Sequence, residues 1–336
     1  MLNIKFNLIV ISVTMVLILG ACSDTEDTAV EVSESESTQV EKVSLDSDSS
    51  SNPKGYQNPE RIVSLEWLNE HRNDDNLVIV DVRKLKDGVA ESYNAGHIPG
   101  AINIPANTTF QIETDGVRGI LPTAGHIENV LSQSGVKPSD TIIFYDDIKS
   151  LWASRALWGM EVYGHTNTKL LDGDIKLWES NGYEISQDSV QLSASDYTFS
   201  AAPNNNLVIG WEAVKASIED NSDVVCDTRS PGEYTGKDVR AERGGHIPGS
   251  INVEWVNNAS EDGTFLDADS LKKLYNTANI TPDKKVYTLC QTAVRATHTW
   301  FVLSELLGYE NVAVYDGSWI EWGNKSTDET PIDLKA

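Results

Sequence analysis

The stretch Cys290-Gln291-Thr292-Ala293-Val294-Arg295 follows a short apolar run, Lys285 to Leu289, and leads straight into a long amphipathic segment. The apolar run predicts a buried strand; the segment from Val294 to Leu307, stopped by Gly308, predicts a helix. A cysteine at that junction meets a helix N-terminus, where backbone N–H groups lack partners and the dipole end is positive. Both favour negative charge on sulfur, and the thiolate is the nucleophilic form. Arg295 adds a fixed cation at the far end of the loop. The spacing therefore points to a reactive sulfur nucleophile that meets an anion. Cys226 is different: it lies inside a second predicted strand, Asp223 to Asp227, and reads as core.

The elements that must hold this loop occur twice. Val80-Asp81-Val82-Arg83 recurs as Cys226-Asp227-Thr228-Arg229, 146 residues on. Gly96-His97-Ile98-Pro99-Gly100 recurs as Gly245-His246-Ile247-Pro248-Gly249 at an offset of 149, and Leu171-Asp172-Gly173 as Tyr315-Asp316-Gly317 at 144. Three matches in one order identify two copies of one domain, 58–186 and 206–336, joined by a linker at 187–205. Within the second copy, helix patterns at Trp211 to Ile218 and Ser270 to Ala278 alternate with strands at Ile251 to Glu254 and Val312 to Tyr315. That alternation predicts an α/β fold: in each copy, a mostly parallel sheet with helices on both faces. Ligands in such folds sit at the carboxyl ends of strands, where the Cys290 loop stands. An ungapped alignment sets Asp146 opposite Cys290 and Leu151 opposite Arg295. The first copy has no cysteine, cannot perform thiol chemistry, and is expected to support the interface and the cleft. His97 and His246 lie in equivalent turns of an active and an inactive copy, which argues for a structural role in both.

The paired Asp-x-Arg strand ends, both Gly-His-Ile-Pro-Gly turns, the Cys290 loop, and the Asp-Gly followed by Trp319 and Trp322 together resemble the rhodanese family, specifically the tandem-domain thiosulfate sulfurtransferases. The resemblance covers about residues 60–325. It implies two rhodanese-like domains, of which the C-terminal one is catalytic, and a persulfide carried on Cys290 within a six-residue loop. Related phosphatases place five residues between Cys and Arg; here four intervene, and a smaller ring of N–H donors suits a sulfur atom better than a phosphoryl group. The implied reaction is a double displacement. Cys290 takes the outer sulfur of a small anionic donor such as thiosulfate, and a thiol or cyanide acceptor removes it. Gln291, Thr292, Ala293 and Val294 would line the donor site with Arg295. Arg229 either joins them from the neighbouring strand end or forms a structural ion pair. Gln291 and Thr292 are neither the basic residue common in thiosulfate-type loops nor the Gly and Ser of mercaptopyruvate-type loops, so the donor stays open among thiosulfate, 3-mercaptopyruvate and another sulfane sulfur compound. A persulfide carrier or redox-sensing module without small-donor turnover is the other alternative. Nothing in this chemistry calls for a metal or cofactor.

Ahead of the repeat, Leu8 to Leu19 form an apolar run after Lys5, ending in Leu19-Gly20-Ala21-Cys22. Small residues before a cysteine resemble a bacterial lipoprotein signal, residues 1–22, with Cys22 as the lipidated residue. That implies a chain outside the cytoplasm, anchored to the cell membrane through lipid. Residues 23–57 contain nine Ser and nine Asp or Glu with no apolar period, and read as a disordered acidic tether. The whole chain carries 51 acidic and 26 basic residues, a net charge of −25. A surface this negative argues against a nucleic-acid partner.

Overall fold

The computed structural model describes residues 52–218 and 223–334, all within one compact unit, Asp46–Ala336. The first half contains strands β1 (Ile62–Val63), β2 (Leu77–Asp81), β3 (Ile102–Asn103), β4 (Ile112–Thr114), β5 (Val117–Ile120), β6 (Thr141–Tyr145) and β7 (Thr168–Leu171). Its helices are α1 (Leu65–His71), α2 (Glu91–Ala95), α3 (Ala106–Thr109), α4 (Ala124–Gln133), α5 (Leu151–Val162) and α6 (Ile175–Ser180). The second half contains β8 (Val208–Ile209), β9 (Asp223–Asp227), β10 (Ile251–Asn252), β11 (Lys285–Leu289) and β12 (Val312–Tyr315), with α7 (Trp211–Ser217), α8 (Pro231–Tyr234), α9 (Ala268–Thr277), α10 (Val294–Phe301) and α11 (Ser318–Trp322).

Each half holds a five-stranded sheet, ordered β1-β7-β6-β2-β3 in the first and β8-β12-β11-β9-β10 in the second. The two orders are equivalent element by element, and every pairing in them is parallel. The expected α/β repeat is therefore realised, with a small antiparallel hairpin, β4–β5, added to the first half.

Strand alternation divides the core. In the first half, Ile79, Ile143, Tyr145 and Leu171 pack with Leu65, Leu68 and Trp178 of α1 and α6. The intervening residues Val80, Ile142, Phe144 and Leu170 face the other way, toward Ile127, Leu131 and Leu157 of α4 and α5. In the second half, Val225, Leu289 and Tyr315 meet α7 and α11, while Val224, Cys226, Val286 and Val314 meet α9 and α10. The α4/α5 face of one half and the α9/α10 face of the other form a single continuous apolar cluster. Trp158 of α5 and Trp300 of α10 are both buried in it. Each such side chain contributes about 1.5–3 kcal/mol or more by leaving water, so the interface between the halves is itself core.

Three local expectations change. The tether ends earlier than residue 57: Tyr56 is buried, its hydroxyl donates to Leu266 O at 2.9 Å, and Lys54 pairs with Asp172 at 2.7 Å. The strand expected at Ile251 to Glu254 stops at Asn252, because the Val253 and Trp255 amides turn back onto Asp227 O and Thr228 O. The helix expected to run from Val294 to Leu307 stays α-helical only to Phe301 and continues as a π turn at Val302–Leu306. The linker is not a loose spacer. Tyr197 is buried on the first half, with its hydroxyl 2.8 Å from His165 Nδ1.

Candidate active site

Cys290 stands at the carboxyl end of β11, the central strand of its sheet, and is 1% exposed. The loop it begins is shaped from outside. The amides of Trp319 and Ile320, at the start of α11, donate to Cys290 O and Gln291 O at 2.9 and 3.0 Å. Ser318 Oγ accepts from the amides of Cys290 (3.2 Å) and Ala293 (3.1 Å) and donates to Tyr315 O at 2.8 Å. Ala293 turns the chain into α10 with φ +62°, a left-handed conformation that costs a non-glycine residue energy and marks constrained loops. Among the described residues, the amides of Gln291, Thr292 and Arg295 make no hydrogen bond to the protein. They are the orphan donors of a helix start, gathered on the ring that Cys290 opens.

Arg295 closes that ring. Its Nη1 and Nη2 donate to Glu233 Oε2 and Oε1 at 2.6 and 2.8 Å, a bidentate pair between a side chain 15% exposed and one 1% exposed. Burial opposes the arginine's charge, but Glu233 and the Cys290 side chain outweigh it, so its pKa is raised. Burial likewise works against the Glu233 carboxylate. Arg295 and the Ser230 N–H and O–H groups prevail and bring it down to about 2. Ser230 and Glu233 form a reciprocal capping box at the start of α8, which fixes the carboxylate from its other side.

Arg229 is not on the open cleft. It is 1% exposed and donates to both oxygens of Asp227 and to Gly245 O. Its guanidinium lies over the Trp319 ring at 4.2 Å. Arg83 makes the same contacts with Asp81 and Gly96 O in the half without cysteine. Of the two roles the sequence allowed, this geometry is that of the ion pair. Gln291 reaches sideways and donates to Arg240 O at 3.0 Å. Thr292 O accepts from Gln111 Nε2 of the first half at 3.1 Å. Beside it, a Cβ on Gly119 (φ +91°) would fall 2.8 Å from Thr292 Cβ, so only glycine lets the hairpin lie this close to the loop. Val294 packs on Leu151 and Trp255. Cys226 is fully buried, and burial pushes its thiol far up, as befits a core residue. His97 and His246 each stack on a tyrosine and bond its carbonyl. Cys22 lies outside the described residues.

The equivalent loop of the first half is filled by its own side chain. The buried Asp146 carboxylate accepts from the amides of Ile148, Ser150, Trp152 and Ala153 at 2.8, 3.1, 2.6 and 3.0 Å. The same backbone frame thus binds a carboxylate internally at the position where the other half has Cys290. Glu233, Ser318 and Arg240 were not read from the sequence. Only Glu233 left a signal there, the Ser-Pro-x-Glu spacing of a capping box.

The family model for the rhodanese-like domain matches residues 64–181 and 211–325. The chain is 38% identical over 281 residues to "Putative thiosulfate sulfurtransferase 1" of Mycobacterium bovis, covering 81% of this chain and 97% of the relative. It is 34% identical over 277 residues to "Putative thiosulfate sulfurtransferase" of Haloferax volcanii, covering 78% and 93%. Its fold is shared with the anaerobic ergothioneine biosynthesis enzyme from Chlorobium limicola, at a TM-score of 0.75 and 22% identity over 84% of this chain and 72% of that one. With two domain matches, each holding one Asp-x-Arg pair and one strand-end loop, and a cysteine on the second loop alone, the chain belongs to the rhodanese family of sulfurtransferases.

Proposed function

We propose that the protein moves sulfane sulfur from a small donor such as thiosulfate to a thiol or cyanide through a persulfide on Cys290. The sulfur of Cys290 attacks the outer sulfur of thiosulfate, the S–S bond breaks, and sulfite leaves with the bonding pair. The acceptor then attacks the outer persulfide sulfur and restores Cys290; with cyanide the product is thiocyanate. The observation that carries this reading is that, among the described residues, the amides of Gln291, Thr292 and Arg295 in the loop that Cys290 begins have no hydrogen-bond partner. Such donors stabilise the negative charge of a persulfide. The amino-terminal half supplies the wall over the loop through Gln111 and Gly119.

Mass spectrometry after incubation with thiosulfate or 3-mercaptopyruvate tests it. One added sulfur on the Cys290 peptide is expected, lost on adding cyanide. Cys290→Ser should abolish both loading and turnover, whereas Cys226→Ala should keep both. Retained turnover in Cys290→Ser would remove the assignment. We further propose that Cys22 carries lipid and anchors the chain to the cell membrane outside the cytoplasm, on the support of the Leu19-Gly20-Ala21-Cys22 junction and the acidic stretch after it. Unchanged mass and detergent partitioning in Cys22→Ala would overturn that.

A further inference from the structure

Among the described residues, the two arginines bonded at the Cys290 loop, Arg295 and Arg240, are both matched by carboxylates, as is Arg229 behind it. Arg295 is held by both oxygens of Glu233. Arg229 is held by Asp227 and buried. Arg240, whose carbonyl takes the Gln291 side chain, donates to Asp238 Oδ2 at 2.9 and 2.5 Å and stands 3.6 Å from Glu233. These three cations face three carboxylates, so they add no surplus positive charge beside the loop. Glu233 cannot swing away cheaply. Its Oε2 also accepts from Ser230 N and Oγ at 3.2 and 3.0 Å, and Pro231 fixes the turn beneath it.

We infer that Glu233 sets donor specificity, turning the site away from dianions such as thiosulfate and toward an organic persulfide that is neutral or singly charged. The inference rests on the sulfur-transfer reading above and narrows its donor. A dianion at this loop meets the fixed carboxylate of Glu233 beside Arg295, at a site where Cys290 and Glu233 are each 1% exposed, and there like charges repel more strongly than in bulk water. The loop amides can hold one transferred sulfur atom without help, but they do not balance two charges. With a persulfide R–S–SH, the Cys290 thiolate attacks the outer sulfur. The Cys290–sulfur bond forms, the R–S bond to that sulfur breaks, and R–S⁻ leaves with the pair. The proton stays on the transferred sulfur, so charge and electrons balance with no oxidant or reductant. Thiosulfate remains a donor, at a disadvantage.

Steady-state turnover of the purified full chain with thiosulfate, and with the persulfide of 2-mercaptoethanol generated in place, tests this. The ratio of kcat/KM for persulfide over thiosulfate is expected to exceed about tenfold, the effect of a modest like-charge penalty. Glu233→Gln should shift that ratio toward thiosulfate by about tenfold, a readout that general damage to the loop would not move. Asp238→Asn, on the exposed loop, frees Arg240 without touching the core and should shift the ratio the same way by a few-fold. A wild-type preference for thiosulfate, or an unchanged ratio in both variants, would overturn the inference while leaving sulfur transfer intact. No added sulfur on Cys290 from either donor would instead overturn the transfer reading beneath it.

Discussion

Arg155 Nη1 donates to Asp316 Oδ1 at 2.7 Å across the boundary between the two halves, and the arginine side chain has no exposed surface. Its other nitrogens hold Phe110 O and Gly119 O, while Asp316 also accepts from the Leu121 amide at 2.7 Å. The pseudo-symmetric site pairs Asp172 with the Phe265 amide and with Lys54, which is 29% exposed. Removing one partner of a fully buried pair strands the other, at about 3–5 kcal/mol, whereas the partly exposed Lys54–Asp172 pair, at 29% and 15%, is closer to solvent and costs less to break. Arg155→Met should therefore lower the urea midpoint far more than Lys54→Met. Equal losses would show that the two boundary pairs are energetically alike.

Ser318 gives the loop its curvature by taking the amides of Cys290 and Ala293. Ser318→Ala leaves two buried donors unmet, at about 1–3 kcal/mol each. We expect a lower melting temperature together with a loss of kcat/KM of about tenfold or more, since the remaining amides lose their alignment. Full turnover in a destabilised variant would show that the loop holds its shape without the serine.

Arg229 and Arg83 occupy equivalent ion pairs, so alanine at either position should cost similar stability, about 3 kcal/mol on the scale of buried pairs. The donor KM should follow neither closely. A variant at Arg229 that melts like the parent but raises the donor KM would return that residue to the substrate.

Glu233 gives the protein an acid limit. Its folded pKa, about 2, lies below the ordinary glutamate value of 4.5. Its stabilising effect is therefore complete above pH about 4.5 and disappears as pH falls toward 2. Melting curves between pH 6 and about 2.5 should show a decline in the parent that is reduced in Glu233→Gln. Superimposable declines would assign acid lability to other carboxylates.

The parts legible in the sequence are those fixed by local pattern. β9, β11 and β12 begin and end where their apolar runs do, and the Cys290 loop announces itself by residue type at a strand-to-helix junction. What stayed hidden depends on partners brought close by folding. Glu233 is 62 residues from Arg295, and Arg155 is 161 from Asp316. Arg229 carried the same uncertainty: its strand end was readable, but Asp227 and Trp319 decided where its charge went. Asp146 was aligned with Cys290 correctly, yet only its four amide bonds reveal why an acid suits that position.

His298, one turn into the helix that Cys290 opens, is fully buried between Phe265 and Trp255, with Nε2 3.1 Å from Lys149 O in the filled loop of the other half. Burial drives its pKa down to about 3, so near neutral pH it is uncharged. The half that bears Cys290 thus leans on its cysteine-free twin along this helix. Cut at the linker, it would bare the apolar flank of α10 and take the Lys149 carbonyl away from His298 Nε2. Excision of either copy would therefore cut through a core that the two halves hold in common.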